Sequence, residues 1–147
     1  MAKTALIDTN ILVYAYTDDD KVKQARANFV LRTMEQHNAG FLSVKTLSEF
    51  FNVMRRQKKA PDEIIKIMRF YTQTWIVYPL TTDIVLEAAR GVRDHQFGYW
   101  DAQMWATAKL NKLDALFTED MSSGSTIDGV TLLNPLDPTF DLPGWLS

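Results

Sequence analysis

Apolar residues in this chain fall into two alternating kinds of cluster. Short, dense runs occur at Ala5-Leu6-Ile7, at Phe41, Leu42 and Val44 around Ser43, at Trp75-Ile76-Val77-Tyr78, at Ala115-Leu116-Phe117 and at Val130-Thr131-Leu132-Leu133. Runs this short and apolar predict buried strands. Between them, apolar residues recur three and four apart, the spacing of one helix face. Ile11 to Tyr16 predicts a short buried helix. Lys21 to His37 predicts a longer one with Val22, Ala25, Phe29 and Met34 inward, closed by a left-handed cap at Gly40. Leu47, Phe50, Phe51 and Met54 mark a third. Pro61 opens a fourth, carrying Ile64, Ile65, Ile67, Met68 and Tyr71. Thr81 to Asp94 predicts a fifth with Ile84, Val85, Ala88, Ala89 and Val92 inward, and Asp101 to Lys112 a sixth. Phe97 to Trp100 and Met121 to Asp128 read as loops. Asn134 to Ser147 holds three prolines and reads as an extended tail with Trp145 as a docking anchor.

Strands alternating with helices imply parallel βαβ units, right-handed crossovers and helices on both sheet faces, an α/β fold. With no repeat, low-complexity segment or linker, the chain of 147 residues reads as one domain, 1–147, with 134–147 as its tail.

Composition narrows the chemistry. There is no cysteine, which removes disulfides and thiolate metal sites, and the two histidines, His37 and His95, are too few for a multi-histidine site. A net charge of −2 gives no overall pull toward nucleic acid, so binding of RNA or DNA would need a local patch. The N-terminus lacks a signal-peptide pattern, and no apolar run approaches the roughly 18 residues of a membrane helix. The expected location is the cytoplasm.

Four acids stand at related places in this pattern. Asp8 ends the first strand, Glu49 lies in the first turn of the helix after the second, Asp101 opens the helix before the fourth, and Asp120 follows the fourth. A parallel sheet places all of these at its carboxyl edge, where α/β folds bind ligands. Each acid has a structural alternative. Asp8 can cap the next helix. Glu49 can close a capping box with Thr46, Asp101 can serve a helix dipole, and Asp120 can be a turn residue. Together, four carboxylates on one edge repel unless a cation neutralises them, and hard oxygen donors suit Mg²⁺ or Mn²⁺. Asn10, Ser43 and Thr118 are candidates to orient carboxylates or metal-bound water; Thr9 and Thr118 can equally be strand-end hydrogen-bond partners. Glu119 is a further acid whose side chain should point away from that of Asp120. Asp18, Asp19 and Asp20 could hold a cation, but they read first as a solvated loop that caps the next helix.

Leu6-Ile7-Asp8-Thr9-Asn10-Ile11-Leu12, Ser48-Glu49-Phe50, Tyr99-Trp100-Asp101-Ala102 and Phe117-Thr118-Glu119-Asp120-Met121 resemble, in order and spacing, the motifs of the PIN-domain ribonucleases, most of all the VapC-type toxins of toxin–antitoxin pairs. The resemblance runs along essentially the whole chain. It implies a PIN-like α/β/α sandwich with a five-stranded, mostly parallel sheet of order 3-2-1-4-5. It further implies that Asp8, Glu49, Asp101 and Asp120 form a catalytic, metal-binding site for Mg²⁺ or Mn²⁺, with RNA cleavage, homodimerisation and a small antitoxin partner. Loops of transfer or ribosomal RNA are the substrates it points to.

The reaction the resemblance implies is metal-assisted hydrolysis of RNA phosphodiester bonds; it needs no side-chain nucleophile, which fits the absence of a cysteine or a Ser–His pair. Arg55, Arg56, Lys58 and Lys59 are candidate phosphate contacts, with Lys21, Lys23 and Arg26 behind them; a solvated basic helix end is the alternative. Three rivals stand beside this reading. A haloacid-dehalogenase-type phosphatase would carry a second acid where this chain has Asn10. A receiver domain would phosphorylate an acid after a later strand. A non-catalytic PIN scaffold for RNA or protein would lack the acids. Tyr14, Tyr16, Phe50, Phe51 and Trp145 exceed what one small core obviously needs, which gives weak support to a protein partner; core packing is the better account for most of them.

Overall fold

Ala5, Leu6 and Ile7 form strand β1 (Ala5–Ile7), and all three side chains are fully buried. A strand buried on both faces must sit inside a sheet covered on both sides. The computed structural model, which describes residues 2–147, places it so. The chain continues through α1 (Thr9–Ala15), α2 (Lys21–Gln36), β2 (Gly40–Ser43), α3 (Val44–Arg56), α4 (Pro61–Thr74) and β3 (Ile76–Tyr78). It then forms α5 (Thr82–His95), α6 (Tyr99–Leu110), β4 (Ala115–Phe117), β5 (Thr126–Ile127), β6 (Val130–Leu133) and α7 (Leu142–Leu146). The strand order is β3-β2-β1-β4-β6-β5, parallel except where β5 pairs antiparallel with β6.

The period-two alternation of strands assigns each side chain to a layer. Ala5, Ile7, Ala115 and Phe117 face a core shared with α1 to α4 and the C-terminal segment. Leu6, Leu116, Val130 and Leu132 face a second core built on α5 and α6, around Trp105. The result is the expected α/β/α sandwich.

Several expectations need correction. The sheet has six strands, not five: the five parallel strands keep the 3-2-1-4-5 arrangement, and β5 adds an antiparallel edge. It arises within the stretch read as a polar loop. Asp128 and Gly129 take φ of 49° and 85°, the left-handed pair that closes a two-residue hairpin. The tail is not simply extended; it carries α7, and Leu136, Leu142 and Leu146 are buried. Trp145 packs on Phe117 of the same chain at 5.1 Å between ring centroids. Arg26 fastens the tail, donating from Nε to the Pro135 carbonyl at 2.8 Å and from Nη2 to the Phe140 carbonyl at 2.7 Å.

The inward faces of two helices also differ. α2 buries Ala27, Val30, Leu31 and Met34, while Val22 and Phe29 face outward. α5 buries Ile84, Glu87, Ala88 and Gly91, while Val85 and Val92 are exposed. Asn38, at φ 50°, takes the left-handed position expected of Gly40. Gly40 instead begins β2, where a Cβ would collide with the Trp75 ring. Among the described residues, no helix is long and apolar enough to cross a membrane.

Candidate active site at the carboxyl edge of the sheet

β1 and β4 pair in parallel with Ile7 opposite Phe117, so the residues that follow them, Asp8 and Thr118, meet at the sheet edge. Thr118 is fully buried. Its hydroxyl donates to Asp8 Oδ2 at 2.8 Å and accepts the Asp120 amide at 3.1 Å. Asp8 Oδ1 accepts the Thr9 amide at 2.7 Å, so this acid also caps α1. The next two residues reach the other acids. Thr9 Oγ1 donates to Glu49 Oε1 at 2.8 Å, and Asn10 Nδ2 donates to Asp120 Oδ2 at 2.8 Å. Three consecutive residues, Asp8-Thr9-Asn10, thus link β1 to β4, to α3 and to the segment after β4.

Asp101 approaches from the other side of the edge. α6 starts two residues earlier than the pattern predicts, at Tyr99, so Asp101 lies within its first turn rather than opening it. Glu49 is the sixth residue of α3, in its second turn rather than its first. The cap of α3 is Ser43, whose Oγ accepts the Thr46 amide at 3.1 Å, so the Thr46–Glu49 capping box does not form. Ser43 makes no hydrogen bond to any of the four acids; its other contacts are Thr46 Oγ1 and Met104 Sδ.

Asp8, Glu49, Asp101 and Asp120 line one groove of about 410 Å³. Asp19, from the acidic turn, lines it too, while Asp20 caps α2. Lys45 is the only basic side chain of that lining, and its Nζ meets Glu49 Oε1 at 2.8 Å. Burial pushes the Asp8 carboxyl above the usual range, the nearby Asp120 charge adds to this, and the bonds from Thr118 and Thr9 and the Lys45 charge oppose it. Asp101 is also raised, first by burial and then by the charge of Asp120, with Lys45 opposing.

The donor chemistry fits a hard divalent cation: several carboxylate oxygens, no sulfur or imidazole, and mutual repulsion that a cation would relieve. Asn10 Oδ1 is buried and has no hydrogen-bond partner. Reversing the amide would set this oxygen against the Asp120 carboxylate, so it stays an acceptor in need of a cation or a bound water. Among the described residues, no three acidic or histidine side chains stand close enough together to hold an ion as they are placed. Asp8 is pinned by its two hydrogen bonds, whereas Glu49 and Asp120 are exposed. Closure around an ion therefore requires Glu49 and Asp120 to turn inward toward Asp8.

The other candidates occupy different roles. Glu119 turns away from the groove wall formed by Asp120: it accepts the Tyr14 hydroxyl at 2.8 Å and pairs with Lys23. Lys23 and Arg26 are thus engaged within the chain. Arg55, Arg56, Lys58 and Lys59 are exposed at the end of α3, and Arg55 Nη1 donates to the Lys59 carbonyl at 2.8 Å. Gln57, among them, lines the far end of the groove. Lys45 and Trp100 are groove residues that the sequence reading did not single out. Lys45 precedes Glu49 by four residues, the spacing of a helix-face ion pair, and that was the available signal.

The model of the PIN domain matches residues 5–122, and the chain belongs to that family. Among solved structures, it is similar to a toxin–antitoxin complex from Klebsiella pneumoniae, at 22% identity and a TM-score of 0.67, covering 90% of this chain and 98% of that one. It is also similar to VapC20 of Mycobacterium tuberculosis, a toxin that cleaves the sarcin-ricin loop, at 14% identity and a TM-score of 0.68, covering 85% and 98%. VapBC2 from Rickettsia felis, bound to a DNA fragment from its promoter, gives 15% identity and a TM-score of 0.64, with 88% and 96% covered. No curated protein matches the sequence.

Proposed function

We propose that this chain is a metal-dependent endoribonuclease and the toxin of a toxin–antitoxin pair. The observation that carries this reading is the assembly of Asp8, Glu49, Asp101 and Asp120 along one groove at the carboxyl edge of a PIN-family sheet. Asp8 and Asp101, joined by Glu49 and Asp120, would hold Mg²⁺ or Mn²⁺. Such an ion, when bound, lowers the pKa of a water molecule and stabilises charge on phosphate oxygens.

The chain's own residues set up that chemistry. Thr118 fixes the rotamer of Asp8 and, through the Asp120 amide, the turn that carries the fourth acid. Asn10 orients the Asp120 carboxylate, and Thr9 holds Glu49 in the groove. Lys45 offsets part of the negative charge that would otherwise repel a polyanion. Arg55, Arg56, Lys58 and Lys59 flank Gln57 at the groove's far end, a position suited to phosphates of the bound strand.

Similarity to solved toxin–antitoxin complexes supports a small antitoxin as partner, and similarity to a toxin that cleaves the sarcin-ricin loop makes a structured RNA loop the leading substrate class, with transfer RNA as the other. Homodimerisation and a cytoplasmic location belong to the same reading. Incubating the protein with RNA and with a phosphomonoester, each with Mg²⁺, Mn²⁺ or chelator, tests it. Metal-dependent cleavage of RNA, lost in Asp101→Asn, is expected. Hydrolysis of the monoester alone would favour a phosphatase, and no hydrolysis of either a non-catalytic scaffold. Copurification of a small protein from the native host tests the antitoxin.

A further inference from the structure

We propose that Trp100 and Lys45 form a nucleotide subsite beside the acid groove, with the Trp100 ring stacking on a base of single-stranded RNA and the Lys45 ammonium contacting the adjoining phosphate. The inference deepens the nuclease reading and rests on it.

Trp100 is 65% exposed. The other three tryptophans are not: Trp75 and Trp105 are buried, and Trp145 is packed on Phe117. An exposed tryptophan in the first turn of a helix, one residue before a groove acid, has no packing role that accounts for it. Its ring meets the Tyr99 ring in a T-shaped contact at 5.0 Å between centroids and stays largely open to solvent. Trp100, Lys45 and Glu49 line the acid groove and also a second groove of about 530 Å³, whose other walls are Val44, Leu80, Ser48 and Gln103. Val44 and Leu80 are themselves 42% and 47% exposed. The two grooves are therefore contiguous across the Trp100 ring.

The chemistry of this second groove matches a nucleotide. A base offers a π-face to the aromatic ring, and stacking of this kind tolerates any base. Lys45 Nζ lies 5.9 Å from the Trp100 centroid and is the only basic group lining either groove. A base on the ring places its phosphate next to that ammonium and at the entrance of the acid groove. The exposed Ser48 offers a hydrogen bond to a base edge, while Gln103 is buried and donates to the Tyr99 hydroxyl at 3.3 Å. In the free chain Lys45 is held by Glu49, so the incoming phosphate competes for a cation already stationed at the site.

The test titrates fluorescein-labelled single-stranded RNA decamers, oligoadenylate and oligouridylate, with the free protein at low salt with Ca²⁺ in place of Mg²⁺, reading Kd from the anisotropy of the label and following tryptophan emission in parallel. Quenching in the parent and its absence in Trp100→Phe would assign the signal to Trp100. Trp100→Ala should raise Kd about tenfold while Trp100→Phe, which still stacks, raises it far less. Lys45→Gln should weaken binding and flatten the salt dependence by about 0.7 in log–log slope, with Lys45→Arg restoring both. Trp100 is exposed, so these changes leave the core intact. Unchanged Kd in Trp100→Ala, or undisturbed emission in the parent, overturns the subsite. So does sedimentation showing a dimer in the parent that Trp100→Ala splits, with Trp100 shielded from acrylamide before RNA is added, because the surface would then belong to a second copy of the chain. Cleavage with Mg²⁺, run in parallel, reports on the nuclease reading separately: binding without cleavage retains the subsite and removes the nuclease.

Discussion

Asp8 stands at the junction of fold and chemistry, and replacing it with Asn separates the two. The substitution keeps the shape. In the present structure, Oδ1 accepts the Thr9 amide and Oδ2 accepts the Thr118 hydroxyl. An Asn oxygen still accepts from Thr9, and its NH₂ donates to Thr118 Oγ1, whose proton is free to rotate elsewhere. What is lost is a charge that burial and Asp120 hold at a raised pKa. Neutralising a strained functional group of this kind stabilises by about 1 kcal/mol. For a chain of 147 residues that is about 3 °C in Tm. The sign with pH is fixed by the raised pKa. The cost of the ionised Asp8 is present in full above its folded pKa, shrinks as pH falls through it, and is gone below the ordinary value of 3.8. Thermal melts in chelator should therefore show Asp8→Asn above the parent at pH 7, with the gap closing as the medium is acidified. Excess Mn²⁺ should reverse the order, since an ion at one hundred times its Kd stabilises the folded parent by about 2.7 kcal/mol and the mutant by less. Cleavage of RNA should collapse in the mutant. If Asp8 is only a helix cap, Asn caps as well, the melts coincide, and metal affects both alike. Full RNase activity with an unchanged metal response would refute the four-acid site.

Thr118→Val, nearly isosteric, removes one charge-assisted bond to Asp8 and the acceptor of the Asp120 amide; urea melts should show a loss of about 2 kcal/mol. It also removes a bond that lowers the Asp8 pKa, so the acid limb of the pH–rate profile should move to higher pH. Arg26→Ala cuts both tethers of the tail, and faster proteolysis of the segment after Asn134 with a stability loss of about 2 kcal/mol is expected. Arg55→Ala with Arg56→Ala should weaken RNA binding at low salt and flatten its salt dependence, while the metal-dependent shift in Tm stays as in the parent.

The sequence by itself determined the alternation of strands and helices, because wholly apolar runs as short as Ala5-Leu6-Ile7 and Ala115-Leu116-Phe117, set between longer stretches of helical spacing, favour buried strands, and βαβ chirality then limits the topology. It also placed four acids near one edge, since position after a parallel strand is a property of chain order. Tertiary structure decided the rest. The pattern turned Val22, Ala25, Phe29 and Met34 of α2 inward, and only packing against α1 and β2 selected Ala27, Val30 and Leu31 to join Met34 in place of the others. The tail reads as extended with Trp145 as its anchor, and Trp145 does dock on Phe117, but the turn of helix that buries Leu142 and Leu146 beside it is recorded by no local pattern. The hydrogen bonds joining Asp8 to Thr118, Thr9 to Glu49 and Asn10 to Asp120 span 40 to 110 residues. The stationing of Lys45 between Glu49 and Trp100 depends on two helices meeting at the groove. Local sequence encodes which way a segment folds; the partners that tune a carboxylate arrive from elsewhere in the chain, and only the closed structure brings them together.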